Sequence, residues 1–103
     1  MQHFTDCHVD PVRRRVSEEE RGAAQVRYLA VAGMGCPNCA NRVRNGLMAT
    51  SGVVDVQMDL PSALAKIWYD REATTLDDLV SAVGEAGRNT HHRYLAVPVW
   101  TQE

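Results

Sequence analysis

From Gln25 onward the chain alternates between two apolar periods in a fixed order, and that order constrains the fold more than any other feature. Residues 25–32 alternate, with Leu29 and Val31 on one side, as a strand with one buried face requires. Residues 38–50 switch to helical spacing. Ala40, Val43 and Leu47 form one stripe there, and Ser51-Gly52 ends the pattern. Alternation returns over 53–60 through Val54, Val56, Met58 and Leu60. Past a Pro61-Ser62 turn it resumes over 64–69, through Ala65, Ile67 and Tyr69. Thr75 and Asp78 have the spacing of a capping box for a second helix, striped by Leu76, Leu79, Val80 and Val83 and closed by Gly87. A last strand is predicted over 93–100, where Pro98 demands an edge position or an early end.

The order β-α-β-β-α-β is that of the split βαβ arrangement. The expected class is α+β: a ferredoxin-like βαββαβ sandwich, with an antiparallel sheet and two helices on one face. Lys66 and Trp68 then point to the other, open face or its rim. A chain of 103 residues has room for one such core, and six aromatics in a 45% hydrophobic composition make that core mostly aliphatic. We assign it to residues 25–103. Residues 1–24 read as an N-terminal tail, with Asp10 and Pro11 as the start of a short helix and Gly22 as its stop. Arg14 and Arg15 would pair with Glu18 and Glu19, but only Val12 and Val16 offer an apolar anchor, so a solvated, partly helical tail is expected.

A net charge of −2 argues against a general nucleic-acid binder. The first residues lack the basic start and apolar stretch of a signal peptide, and no apolar run approaches the ~20 residues that cross a bilayer. The expectation is a soluble, cytoplasmic unit with no membrane insertion, standing alone or forming part of a larger membrane protein.

Three cysteines are a poor basis for a disulfide framework. Two of them fall in G33-M34-G35-C36-P37-N38-C39, between the first strand and the first helix of the domain. A close pair in a reducing compartment serves a metal or redox chemistry. Thiolate is the metal-binding form, and a helix N-terminus favours it through unpaired N–H groups and the helix dipole. A structural zinc site needs four ligands, and the domain core offers two. A thioredoxin-like redox site also opens a helix with Cys-x-x-Cys, but no aromatic precedes Cys36 and the element order is not that fold's. Two soft thiolates suit Cu(I), and by the same logic Hg(II). A metal held linearly keeps the sulfurs roughly 4–5 Å apart, whereas a disulfide brings them to about 2 Å, so metal binding and oxidation exclude each other. Two exposed ligands would leave the ion open to a partner's thiols, as transfer requires.

With its glycines, the loop resembles the GM-x-C-x-x-C loop of heavy-metal-associated domains, which include copper chaperones, mercury-binding proteins and N-terminal modules of metal-pumping ATPases. The resemblance runs from about Val26 to Gly87 and includes G52-V53, the second strand to Leu60, and E85-A86-G87. It implies a metallochaperone or carrier domain with Cys36 and Cys39 as metal ligands and no catalytic residues, hence not an enzyme. Copper-type members usually place Thr or Ser before the first cysteine, and zinc- or cadmium-type members often place Asp. Gly35 removes the acid without adding the hydroxyl. Cu(I) is therefore the expected ion and Hg(II) the second, with Zn(II) or Cd(II) behind them.

The family also borders the metal with the residue after the second helix, which by gap-free counting is Arg88; Met34 is expected as a core residue beneath the loop. N89-T90-H91-H92 lengthens the loop beyond, so His91 or His92 is a candidate third ligand. His3, Cys7 and His8 lie outside the family pattern and form a second Cys/His group, with Cys7 a candidate extra sulfur. Arg42 and Arg44 suggest a basic face for docking a metal-transporting ATPase or another metal-accepting domain, the chain being a monomer or metal-linked dimer. The competing classes are a metal-responsive regulatory domain and a thiol–disulfide oxidoreductase.

Overall fold

A computed structural model describes residues 17–35, 37–88, 90 and 92–99. Its elements are α1 (Glu18–Ala23), β1 (Gln25–Ala32), α2 (Pro37–Met48), β2 (Val53–Asp59), β3 (Leu64–Tyr69), α3 (Leu76–Ala86) and β4 (Leu95–Val99). The four strands form one antiparallel sheet in the order β2-β3-β1-β4. Each helical crossover thus skips a strand, which is the topology expected from the apolar pattern. Pro98 lies on the edge strand β4, opposite Leu29, where a missing N–H leaves the sheet's interior pairing intact. Thr75 and Asp78 make the capping box of α3, each side chain meeting the other residue's backbone N–H at 3.1 Å.

The core lies between the sheet and the pair α2/α3. Leu29, Val43, Leu47, Ile67, Leu79 and Val83 are fully enclosed in it. Burying side chains of this size contributes roughly 1.5–3 kcal/mol each, before the entropy of ordering them. The opposite face is open. There the Lys66 ammonium lies 4.8 Å from the Trp68 ring centroid and 5.9 Å from that of Tyr28, while β4 exposes Leu95 and Val97.

Three details differ from expectation. Strand β4 begins at Leu95 rather than at residue 93. In β2 the alternation of Val54, Val56, Met58 and Leu60 does not hold, because the register shifts between Val53 and Asp55. The irregularity turns both Val53 and Val56 into the core and leaves Leu60 in the following turn. The tail helix starts later than Pro11: Ser17 caps it, paired with Glu20 in a capping box. Residues 10–16, with Arg14 and Arg15, lie outside the described residues.

Helix α1 is also joined to the domain across the expected 24/25 boundary. Arg21 Nε donates to Asp55 Oδ2 at 3.0 Å and its Nη2 reaches the same oxygen, while its guanidinium lies 5.1 Å from the Trp68 ring centroid. The other carboxylate oxygen of Asp55 accepts Val56 N–H at 2.9 Å and faces Arg44 Nη2 at 3.8 Å. Asp55 is thereby satisfied although buried, as a carboxylate inside a protein must be.

Candidate metal centre

The loop after β1 leads directly into α2, whose first turn contains Cys39. The side chain of Cys39 is only 2% exposed and belongs to the core cluster. This corrects the expectation of two exposed ligands: the cysteine on the helix is roofed by neighbouring chain. Cys36 lies outside the described residues, as do His3, Cys7, His8 and His91. Met34 is half-buried and packs against the core beneath the loop.

The roof is the segment returning from α3 to β4, and two glycines admit it. Gly33 has φ +99°, and a Cβ there would lie 2.1 Å from the Arg93 carbonyl oxygen. At Gly87 a Cβ would lie 2.5 Å from the His92 carbonyl oxygen. Neither separation is tolerable, so only glycine lets the 92–93 backbone pass between the loop after β1 and the end of α3. Thr90 holds the same turn: its hydroxyl donates to the Gly87 carbonyl at 2.6 Å and accepts His92 N–H at 2.9 Å.

This passage brings His92 and Tyr94 to Cys39. His92 Nδ1 stands 4.0 Å from Cys39 Sγ, and the His92 and Tyr94 rings are parallel within 9°, their centroids 6.1 Å apart. Tyr94 is hydrogen-bonded to Cys39, and its hydroxyl oxygen accepts from Arg42 Nη1 at 3.0 Å. Burial and the neighbouring Cys39 push the Tyr94 phenol above its ordinary range, against the opposing pull of Arg42. Tyr94 is therefore a neutral phenol at physiological pH, with its O–H available to the sulfur.

The remaining candidates are placed elsewhere. Arg88 points to Glu85 at 3.0 Å in a largely solvent-exposed ion pair, while His92 and Tyr94 occupy the border of Cys39. Gap-free counting stops at Arg88, six positions before Tyr94. Arg42 and Arg44 do not form a common basic face. Arg42 turns to Tyr94, and Arg44 Nε donates to the Val56 carbonyl at 3.0 Å beside Asp55. Tyr94 was missed as a site residue. A signal was present in Tyr94 and Ala96, an alternating pair at the start of the last strand that marks the core face next to the loop. Among the described residues no helix is long and apolar enough to cross a membrane.

Known proteins resemble this chain in sequence and in fold. The heavy-metal-associated domain family matches residues 29–89. The chain is 32% identical over 72 residues to the copper-transporting ATPase RAN1 of Arabidopsis thaliana, covering 70% of this chain and 7% of that protein. It is 26% identical over 61 residues to the copper chaperone CopZ of Staphylococcus haemolyticus, covering 59% of this chain and 90% of that one. The structure of oxidized MerP from Ralstonia metallidurans CH34 superposes with a TM-score of 0.67 at 26% identity, covering 76% of this chain and all of that one. The matched span runs from the second half of β1 through the loop, α2, β2, β3 and α3, and on that basis the chain belongs to the heavy-metal-associated domain family.

Proposed function

We propose that this domain binds one Cu(I) through the thiolates of Cys36 and Cys39 and passes it to, or takes it from, a metal-transporting ATPase or another metal-accepting domain. The observation that carries the reading is the surroundings of Cys39: sulfur at a helix start, a phenol O–H and an imidazole against it, and Arg42 behind the phenol. Two thiolates with Cu(I) make a centre of net charge −1, which the guanidinium and the helix N-terminus both favour. Sulfur donors select soft ions, which puts Cu(I) and Hg(II) ahead of Zn(II) and Cd(II). The relatives named as copper transporters and chaperones support copper and this class of partner.

The core of aliphatic side chains is complete without an ion, so the domain folds in the apo state and the metal is cargo. Transfer then proceeds by exchange: an incoming thiolate forms a metal–sulfur bond, one outgoing sulfur releases its own, and copper stays Cu(I) throughout. The test is an anaerobic competition titration with Cu(I), Hg(II), Zn(II) and Cd(II). One equivalent of Cu(I) should bind in preference to Zn(II) and Cd(II), and that binding should be lost in both Cys36→Ser and Cys39→Ser. Retention of tight binding by either variant contradicts the proposal.

A further inference from the structure

We propose that the open face of the sheet is a docking surface for an acidic amphipathic helix of a partner protein or a neighbouring domain. The helix lays its apolar stripe on the aliphatic and aromatic side chains of the face and sets a carboxylate on Lys66.

The first support is composition. Strand register puts Leu95 and Val97 of β4, Tyr28 of β1, and Leu64, Lys66 and Trp68 of β3 on the side away from the core. Leu95 and Val97 are 64% and 54% exposed, the exposed large hydrophobic residues among those described. Toward β2, Tyr28, Leu64 and Lys66 join Gln57, Met58 and Asp59 around a groove of about 450 Å³, a size that admits an anchoring side chain. Exposed apolar side chains gathered in one patch mark an interaction site, whereas scattered ones do not.

The second support is shape. Edge strand β4 carries Pro98, and the other edge, β2, is bulged between Val53 and Asp55 and flanked by α1. Both features oppose pairing with an incoming strand. A helix needs no sheet edge. The face is about 14 Å wide between its outer strands and about 20 Å long from Val26 to Ala32. That matches a helix about 10 Å thick and about 13 residues long. A second copy of the chain fits less well. The face covers roughly 300 Å² in projection, short of the about 800 Å² per partner of a stable interface. Twofold packing centred there would also set Lys66 against its own copy.

The third support is charge. Among the described residues no carboxylate pairs with Lys66, whose ammonium rests on the Trp68 and Tyr28 rings. A wholly apolar cover would bury that ammonium unpaired, which is costly. A carboxylate above it replaces the cost with an ion pair and fixes the register of the helix. Arg21, the other cation at this face, is already held by Asp55, so the charge available suits one carboxylate rather than a polyanion. The occupant lies across the sheet from the core that contains Cys39, and leaves that side free for a second protein.

The probe is a lactam-bridged helix of about 13 residues, its leucine stripe bordered by glutamate, compared with the same helix bearing lysine instead. Backbone amide and Trp68 indole NMR signals of the full chain are followed during titration. The glutamate helix should bind about tenfold more tightly than the lysine helix, with shifts centred on Tyr28, Lys66, Trp68 and Val97. Lys66→Glu should reverse that preference. Val97→Ser, at an exposed side chain, should weaken both helices several-fold while circular dichroism stays that of wild type. Equal binding of the two helices, no binding, or shifts centred on α2 and α3 overturn the proposal. So does a concentration-dependent dimer in sedimentation that Val97→Ser abolishes, because a second copy then covers the face.

Discussion

Arg42 and Arg44 stand two positions apart on α2, about 200° around the helix, and they enter two contrasting regions. Arg44 reaches the edge strand β2, where Asp55 lies between it and Arg21 and the Val56 carbonyl takes its Nε–H. Arg42 reaches the metal end, where its partner is the phenol that touches Cys39. At the first region positive charge meets a buried carboxylate, and the result joins α1, α2 and β2. At the second, positive charge is directed through a neutral phenol toward the sulfur that the proposed function makes an anionic ligand. One arginine serves the fold and the other, in the proposed function, serves the metal site, although a linear reading treats them as one basic cluster.

Substitutions at the two regions should separate these roles. Cys39→Ser should have the largest effect, lowering Cu(I) affinity by more than the roughly 100-fold that loss of an outer-shell partner costs, while the circular dichroism of the apo fold is retained. Asp55→Ala should act on stability alone. It strips two arginines and a backbone N–H of their acceptor, for a loss of about 1–3 kcal/mol, and each kcal/mol lowers the melting temperature of a domain this size by about 4–8 °C. Copper titration of that variant should match wild type, and a large change in affinity would erase the distinction between the regions. Tyr94→Phe removes the hydroxyl between Arg42 and Cys39. We expect about 0.5–1.5 kcal/mol, divided between stability and a several-fold loss in Cu(I) affinity measured by chelator competition. Arg21→Ala should be mildest, under about 1 kcal/mol, because its side chain is 44% exposed. Its clearer signature is an altered Trp68 emission, since the guanidinium lies over that ring.

The helices and strands that close the core were legible because each carries its own period. Thr75 and Asp78 announced the start of α3, and Leu79 and Val83 its buried face. The bulge in β2 was not legible. Val53 and Val54 are the same residue type, so alternation alone does not say which one faces inward, and Asp55 is buried through partners 34 residues before it and 11 residues earlier on α2. Ser17 and Glu20 had the capping-box spacing, yet Asp10 and Pro11 drew the predicted start earlier. The Cys-x-x-Cys loop was evident from its residues, whereas its border was not. His92 and Tyr94 reach Cys39 because backbone passes between Gly33 and Gly87, and such an approach is a property of the folded chain rather than of local spacing.

The central claim is that metal chemistry is confined to the end of the molecule where α2 begins and β4 returns. It is tested most directly by backbone amide NMR spectra of the apo protein titrated anaerobically with Cu(I). The account predicts saturation at one equivalent, with shifts concentrated in residues 33–42 and 87–94 and the amides of Arg21, Asp55 and Trp68 unmoved. Shifts centred on β2 and α1, or spectra unchanged after one equivalent, would contradict it.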